Sequence, residues 1–115
     1  MIQNGNLGDL YREQKKYQKS YQYLHKALKL SREISNRIYE CQWIYNIGKL
    51  YYDLKKYDDS LILFHEALSL CEESQLKYLE GNILNWMAWA YDKKGNFEKS
   101  TSLHKKANLL WNQFS

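Results

Sequence analysis

Three kinds of residue in this 115-residue chain could do chemistry, and their spacing decides which chemistry is open to them. His25, His65 and His104 fall one to each third of the chain, and histidine is the commonest general base and metal ligand near neutral pH. Placed so regularly, the three rings are spread along a repeating molecule instead of being gathered round one reacting atom. No Ser/His/Asp or Cys/His set can be assembled from the spacing, so a solvated outer face is expected for all three. Cys41 and Cys71 lack CxxC spacing and a histidine at a metal-ligand interval, so neither a zinc site nor a disulfide framework is indicated. No catalytic residue, metal or cofactor is therefore expected. What remains is recognition. An amide such as Asn6 or Asn46 both donates and accepts, and so can satisfy an extended peptide backbone. Trp86 and Trp89, one helical turn apart, are the residue type that most often anchors an interface. The pairs Lys15–Lys16, Lys55–Lys56 and Lys93–Lys94 would line one edge and could attract phosphate. Equally, they are cations at helix C-termini, where they complement the backbone dipole.

The elements that must position these residues follow from a repeat. "NLGDLYREQKKYQKS" begins at Asn6, "NIGKLYYDLKKYDDS" at Asn46, and a blurred third copy, "WMAWAYDKKGNFEKS", at Trp86. A period of forty residues is read before anything else, because it governs the whole fold. Within a unit the apolar residues step by three and four, as in Ile44, Ile47, Gly48 and Tyr51, or Ser60, Phe64, Ala67, Leu68 and Cys71. Each unit is thus two amphipathic helices, predicted over 2–14 and 18–33, 37–54 and 58–73, 77–93 and 97–113. Gly95 and Asn96 supply a C-cap and an N-cap in the third unit, and "ISNR" and "SQLK" offer Ser and Asn caps between units. Turns this short make the paired helices antiparallel. The small residues Gly8, Gly48 and Ala88 are expected to face Ala27, Ala67 and Ala107, with Tyr11, Tyr51 and Tyr91 filling the space where the helices diverge. Setting Leu54 opposite Asp58 also sets Cys41 opposite Cys71, which predicts adjacent thiols, reduced in the cytosol and able to crosslink under mild oxidation.

Composition bounds the partners. With 44% hydrophobic and 26% charged residues the chain can bury a core. A formal charge of +4 allows acidic partners but falls short of a nucleic-acid signature. No stretch approaches the roughly 18 apolar residues of a membrane span, and the start lacks the basic and apolar regions of a secretory signal. No membrane partner and a cytoplasmic location are expected.

The small residues at 8, 48 and 88, the tyrosines at 11, 51 and 91, the small residues at 20, 60 and 100, and the alanines at 27, 67 and 107 resemble the tetratricopeptide repeat, W-x-x-L-G-x-x-Y…A…F…A…P. Asn4, Ile44 and Leu84 stand at its tryptophan position, serines replace its alanine, and its closing proline is missing. The forty-residue period is similar to the long-repeat branch seen in kinesin light chain, Pins/LGN proteins and Rap/PlcR regulators. The resemblance implies an all-α fold of three stacked antiparallel helix hairpins, a short right-handed solenoid. It implies one domain over 1–115 with repeats of about 1–34, 35–74 and 75–115, complete or as a fragment of a longer solenoid. It also implies non-catalytic binding of a protein or extended peptide segment in a concave groove lined by the first helix of each repeat. Carried over position by position, that lining is Asn6, Asp9, Arg12, Gln42, Tyr45, Asn46, Lys49, Tyr52, Asn82, Trp86, Trp89 and Asp92. The alternative is part of a peptide-pheromone-sensing bacterial regulator, and nucleic-acid binding through the lysine edge ranks below both. Leu103, Leu110, Trp111 and Phe114 are expected to leave an uncovered apolar stripe on the last helix, favouring self-association.

Overall fold

A computed structural model describes residues 2–113, with side chains from 4 to 113. Six helices follow in order: α1 (Ile2–Glu13), α2 (Tyr17–Glu33), α3 (Arg37–Asp53), α4 (Tyr57–Ser74), α5 (Lys77–Lys93) and α6 (Phe97–Asn112). No strand occurs among the described residues. The helices pair as hairpins α1/α2, α3/α4 and α5/α6, and each hairpin stacks on the next through α2 against α3 and α4 against α5.

The turns explain why the chain keeps time so strictly. Five residues, Lys15, Ser35, Lys55, Gln75 and Gly95, adopt positive φ between 54° and 84°. After each, the next backbone N–H closes a six-residue loop onto the helix just ended: Lys16 to Tyr11, Asn36 to Ser31, Lys56 to Tyr51, Leu76 to Cys71 and Asn96 to Tyr91, at 2.8–3.1 Å. This left-handed cap satisfies carbonyls that the helix end leaves open. It recurs every twenty residues, so the forty-residue repeat of the sequence is two turns of one backbone pattern. Gly95 and Asn96 cap as expected, Asn96 accepting from the Lys99 amide. Asn36 likewise accepts from the Tyr39 amide. Ser74 does not cap: it ends α4, and α5 starts after Leu76 with no side-chain cap.

The core lies where hairpins stack. Leu24, Ile44, Ile47, Leu50, Phe64, Ile83 and Leu84 are essentially fully buried, and α3, flanked by neighbours on both sides, has nine buried residues. Phe64, and not Ala67, is what stands nearest to Gly48. A Cβ there would stand 2.6 Å from the Phe64 ring, and one at Gly8 would stand 2.6 Å from Leu24, so the glycines make room for the large residue of the partner helix. Gly5 and Gly81 do the same for the indoles of Trp43 and Trp111. Ala67 lies instead against Cys41, whose thiol donates to its carbonyl at 3.2 Å. The two cysteines are free, fully buried and in contact, their sulfurs 2.7 Å apart. The neighbouring thiol and burial push the Cys41 pKa up, so that thiol stays protonated.

The last helix departs from expectation. Leu103, Leu110 and Trp111 turn inward and pack half-buried on the core; Phe114 lies outside the described residues. The histidines also divide. His65 is exposed, 3.3 Å from the Tyr91 hydroxyl, and His25 is half-buried beneath Tyr21. His104 occupies the register of Leu24 and Phe64, facing α5 with Nδ1 2.5 Å from the Asn85 oxygen. It is not on the outer face.

Candidate functional site

Two layers make the solenoid, and contacts distinguish them. The backbones of the first helices approach one another, α1 with α3 and α3 with α5, whereas those of α2, α4 and α6 do not come as close among the described residues, and α2 reaches α4 only through the long Arg32 side chain, 3.4 Å from Glu66. Elements that approach closely on one side and splay on the other form a curve, so α1, α3 and α5 line its inner face. On each of them the inner stripe recurs every three to four residues.

The inner face changes chemistry along its length. Between α1 and α3 it is charged. The Arg12 guanidinium meets Asp9 at 3.0 Å and Asp53 at 2.8 Å, and the Lys49 ammonium meets Asp9 at 3.3 Å. Between α3 and α5 it is aromatic. Tyr52 meets Trp86 edge-on at 5.3 Å between centroids, and Trp86 meets Trp89 in the same manner at 5.2 Å. The cations join the halves: Arg12 lies 5.7 Å from the Trp86 ring centre, and Lys49 lies 4.7 Å from that of Tyr45 and 5.8 Å from that of Trp86.

Burial tunes these groups. It pulls the Lys49 pKa below its usual value, with Asp9 opposing, and it raises that of the Tyr45 hydroxyl. Burial also works against the Arg12 charge, but Asp9 and Asp53 outweigh it and hold the guanidinium firmly protonated.

The structure therefore brings Asp9, Arg12, Tyr45, Lys49, Tyr52, Trp86 and Trp89 into one cluster. Gln42 and Asn46 sit beside it, the Gln42 amide donating to the Asn46 oxygen at 3.1 Å. The two asparagines differ in access: Asn6 is exposed, whereas Asn46 is only 3% exposed. Asn82 joins Gln42 in a separate cleft at the start of α3 and α5, and Asp92 is exposed at the far end of α5. The sequence reading missed Ile38 and Tyr78, one turn earlier on the same stripes, and Asp53, which holds Arg12. The i, i+4 step back from Gln42 and Asn82 was the available signal for the first two. The third had none, since it pairs with a residue of another repeat.

Comparison with known proteins agrees with this architecture. A family model described as tetratricopeptide repeat matches residues 1–73 and again 39–107. No curated protein matches the sequence. Among solved structures, BtubC (BKLC) from P. vanneervenii superposes with a TM-score of 0.85 at 18% identity, over 96% of this chain and 46% of that one. Aspartyl phosphate phosphatase F from Bacillus subtilis gives 0.91 at 21% identity, over 96% and 29%. The TPR domain of Arabidopsis FLU gives 0.86 at 16% identity, over 97% and 94%. The chain thus spans less than half the length of the first two. Two overlapping matches in register with three hairpins leave one assignment: the chain is a short all-α solenoid belonging to the tetratricopeptide-repeat family.

Proposed function

We propose that the chain is a non-catalytic binding module that takes an extended segment of a protein or peptide into the groove of α1, α3 and α5. One observation carries the reading. Trp89, on the inner face and against Trp86, remains 39% exposed, an indole placed where it gains burial only when something enters the groove. Desolvating such a ring is a large part of what makes an interface hot spot, and truncating one costs about 2 kcal/mol or more. The amides supply register instead, since each exchanges a water hydrogen bond for a peptide one at a net of about 1 kcal/mol.

A second reading, part of a larger peptide-sensing bacterial regulator, is favoured by the superposition on phosphatase F. That likeness concerns fold alone, and the reading uses the same groove.

Selection of a displayed library of random unstructured peptides on the folded chain tests both. Binders are expected whose affinity falls strongly with Trp86→Ala or Trp89→Ala, modestly with Asn6→Ala, and not at all with the outer-face His65→Ala. Binders that ignore both tryptophans but lose affinity at His65 would move the binding surface to the convex side and defeat the proposal.

A further inference from the structure

The floor of the groove is neutralised from within, because Arg12 and Lys49 are committed to Asp9 and Asp53. The uncommitted cations stand at the rim. Lys15, Lys55 and Lys93, from the C-terminal ends of α1, α3 and α5, open with Tyr17, Tyr52 and Tyr57 onto one cleft of about 440 Å³. None of the three lysines makes an ion pair among the described residues. Of the two acids in that cleft, Asp53 already holds Arg12, which leaves Glu13 against three free ammonium groups.

The opposite end of the same helices is mainly apolar. A cleft of about 540 Å³ lies between the starts of α3 and α5, lined by Ile38, Leu76, Tyr78 and Leu79, by the Gln42, Gln75 and Asn82 amides, and by Lys77, whose ammonium Glu80 holds at 3.6 Å. Ile38 is 53% exposed and Tyr78 67%, large apolar surfaces left open to water on the groove stripe.

Helix geometry fixes the separation of the two clefts. From Ile38 to Tyr52 along α3 is ~21 Å at about 1.5 Å per residue. An extended segment rises about 3.3 Å per residue and covers that distance in roughly six. Between the clefts it would cross the Lys49, Tyr45 and Trp86 surface.

We propose that the groove reads a two-point signature: a large apolar side chain seated between Ile38 and Tyr78, and a carboxylate met by the rim lysines about six residues away. The inference rests on the binding reading above and names the chemistry of its ligand. Charge complementarity selects the occupant. A basic segment would face three unpaired lysines, while a wholly apolar one would leave them desolvated without partners.

The probe is a set of fluorescein-labelled peptides of Ser, Thr and Gly, each carrying one Phe and one Glu pair. They are made in both chain directions, with the wide spacing or with Phe and Glu adjacent. Anisotropy titrations are run on wild type, on Tyr78→Ser, and on the triple variant Lys15→Gln, Lys55→Gln, Lys93→Gln. These positions are exposed, and Gln75 already holds the left-handed turn conformation that Lys15 and Lys55 adopt, so the variants keep the fold. In one chain direction the widely spaced probe should bind, losing about tenfold or more when Phe becomes Ser, when the Glu pair becomes Gln, or when the residues are adjacent. Tyr78→Ser should abolish the Phe dependence and the triple variant the Glu dependence together with most of the salt sensitivity.

Equal binding of the adjacent probe, or undiminished Glu dependence in the triple variant, would overturn the proposal. So would tighter binding of a single-stranded DNA oligonucleotide to the same lysines at physiological salt. If no probe binds while the random library still yields tryptophan-dependent peptides, this inference alone fails. If the library yields none, the binding reading fails with it.

Discussion

At the scale of single residues, the fold turns on where a side chain is missing. Gly48 lets the fully buried Phe64 ring lie against the α3 backbone. Gly48→Ala should therefore destabilise by about 1–3 kcal/mol through overpacking, despite the higher helix propensity of alanine. Thermal melts of Gly48→Ala alone and with Phe64→Leu provide the check, because the smaller residue should restore part of the loss. A neutral Gly48→Ala would contradict the register. Titration belongs to the same scale. Burial lowers the pKa of His25, with Arg32 adding to it, and burial lowers that of His65, with Lys99 adding to it, both below the ordinary 6.5. Between the folded value and 6.5 the unfolded chain holds more protons, so stability is full above 6.5 and is lost as pH falls through the folded values. Denaturant melts above and below 6.5 should show this loss, and His25→Gln should reduce it. An unchanged slope in that variant would remove His25 from the account.

At the scale of elements, the turns carry a strain that the sequence does not advertise. Four of the five left-handed caps hold Lys15, Ser35, Lys55 and Gln75 rather than glycine. A residue with a Cβ pays about 1–2 kcal/mol in that conformation, of which glycine recovers only part, because it is freer when unfolded. Lys55→Gly should thus stabilise the second hairpin by about 1 kcal/mol, and Gly95→Ala should destabilise the third by a similar amount. Paired urea titrations measure both. A Lys55→Gly that lowers stability would mean that the lysine contributes more than its turn costs. Since Lys55 also lines the rim cleft, the same variant should bind acidic probes less well while melting higher, which separates its two roles.

At the scale of the molecule, the question is what the last helix presents. Where α2 and α4 carry Tyr21 and Leu61, then Leu28 and Leu68, α6 carries Thr101 and Asn108, and only Ser100 and Ala107 on it are buried. Phe97 and Leu109 are the exceptions, 64% and 66% exposed, Phe97 at the register where Tyr17 and Tyr57 are half-buried. One ring and one leucine are a small apolar contact beside the 1,000 Å² or so that a stable interface needs. Self-association through this end should therefore be weak, rise with concentration and vanish in Phe97→Ser. Sedimentation equilibrium of both proteins decides it. A tight dimer that survives Phe97→Ser would place the contact on another face. No helix among the described residues is long and apolar enough to cross a membrane.

The sequence alone determined the repeat, the six helices, the hairpin pairing and the contact of Cys41 with Cys71, because these depend on interactions within one or two turns of the chain or on a register set by a short loop. The inner stripe was named by the resemblance to the repeat family, since spacing marks the faces of a helix without saying which of them turns inward. Tertiary structure decided what the stripe is made of. Asn6 and Asn46 share a position in the repeat, yet one is exposed and the other is covered beside Gln42. Arg12 stands one turn after Asp9 in the sequence, but its second partner, Asp53, comes from the next hairpin and is brought to 2.8 Å only by the stack. His104 reads as one histidine of a series until its register sets it against Asn85 in the core position of Phe64. Burial and ion pairing between repeats depend on distances across the stack, and a period of forty residues contains no term for them.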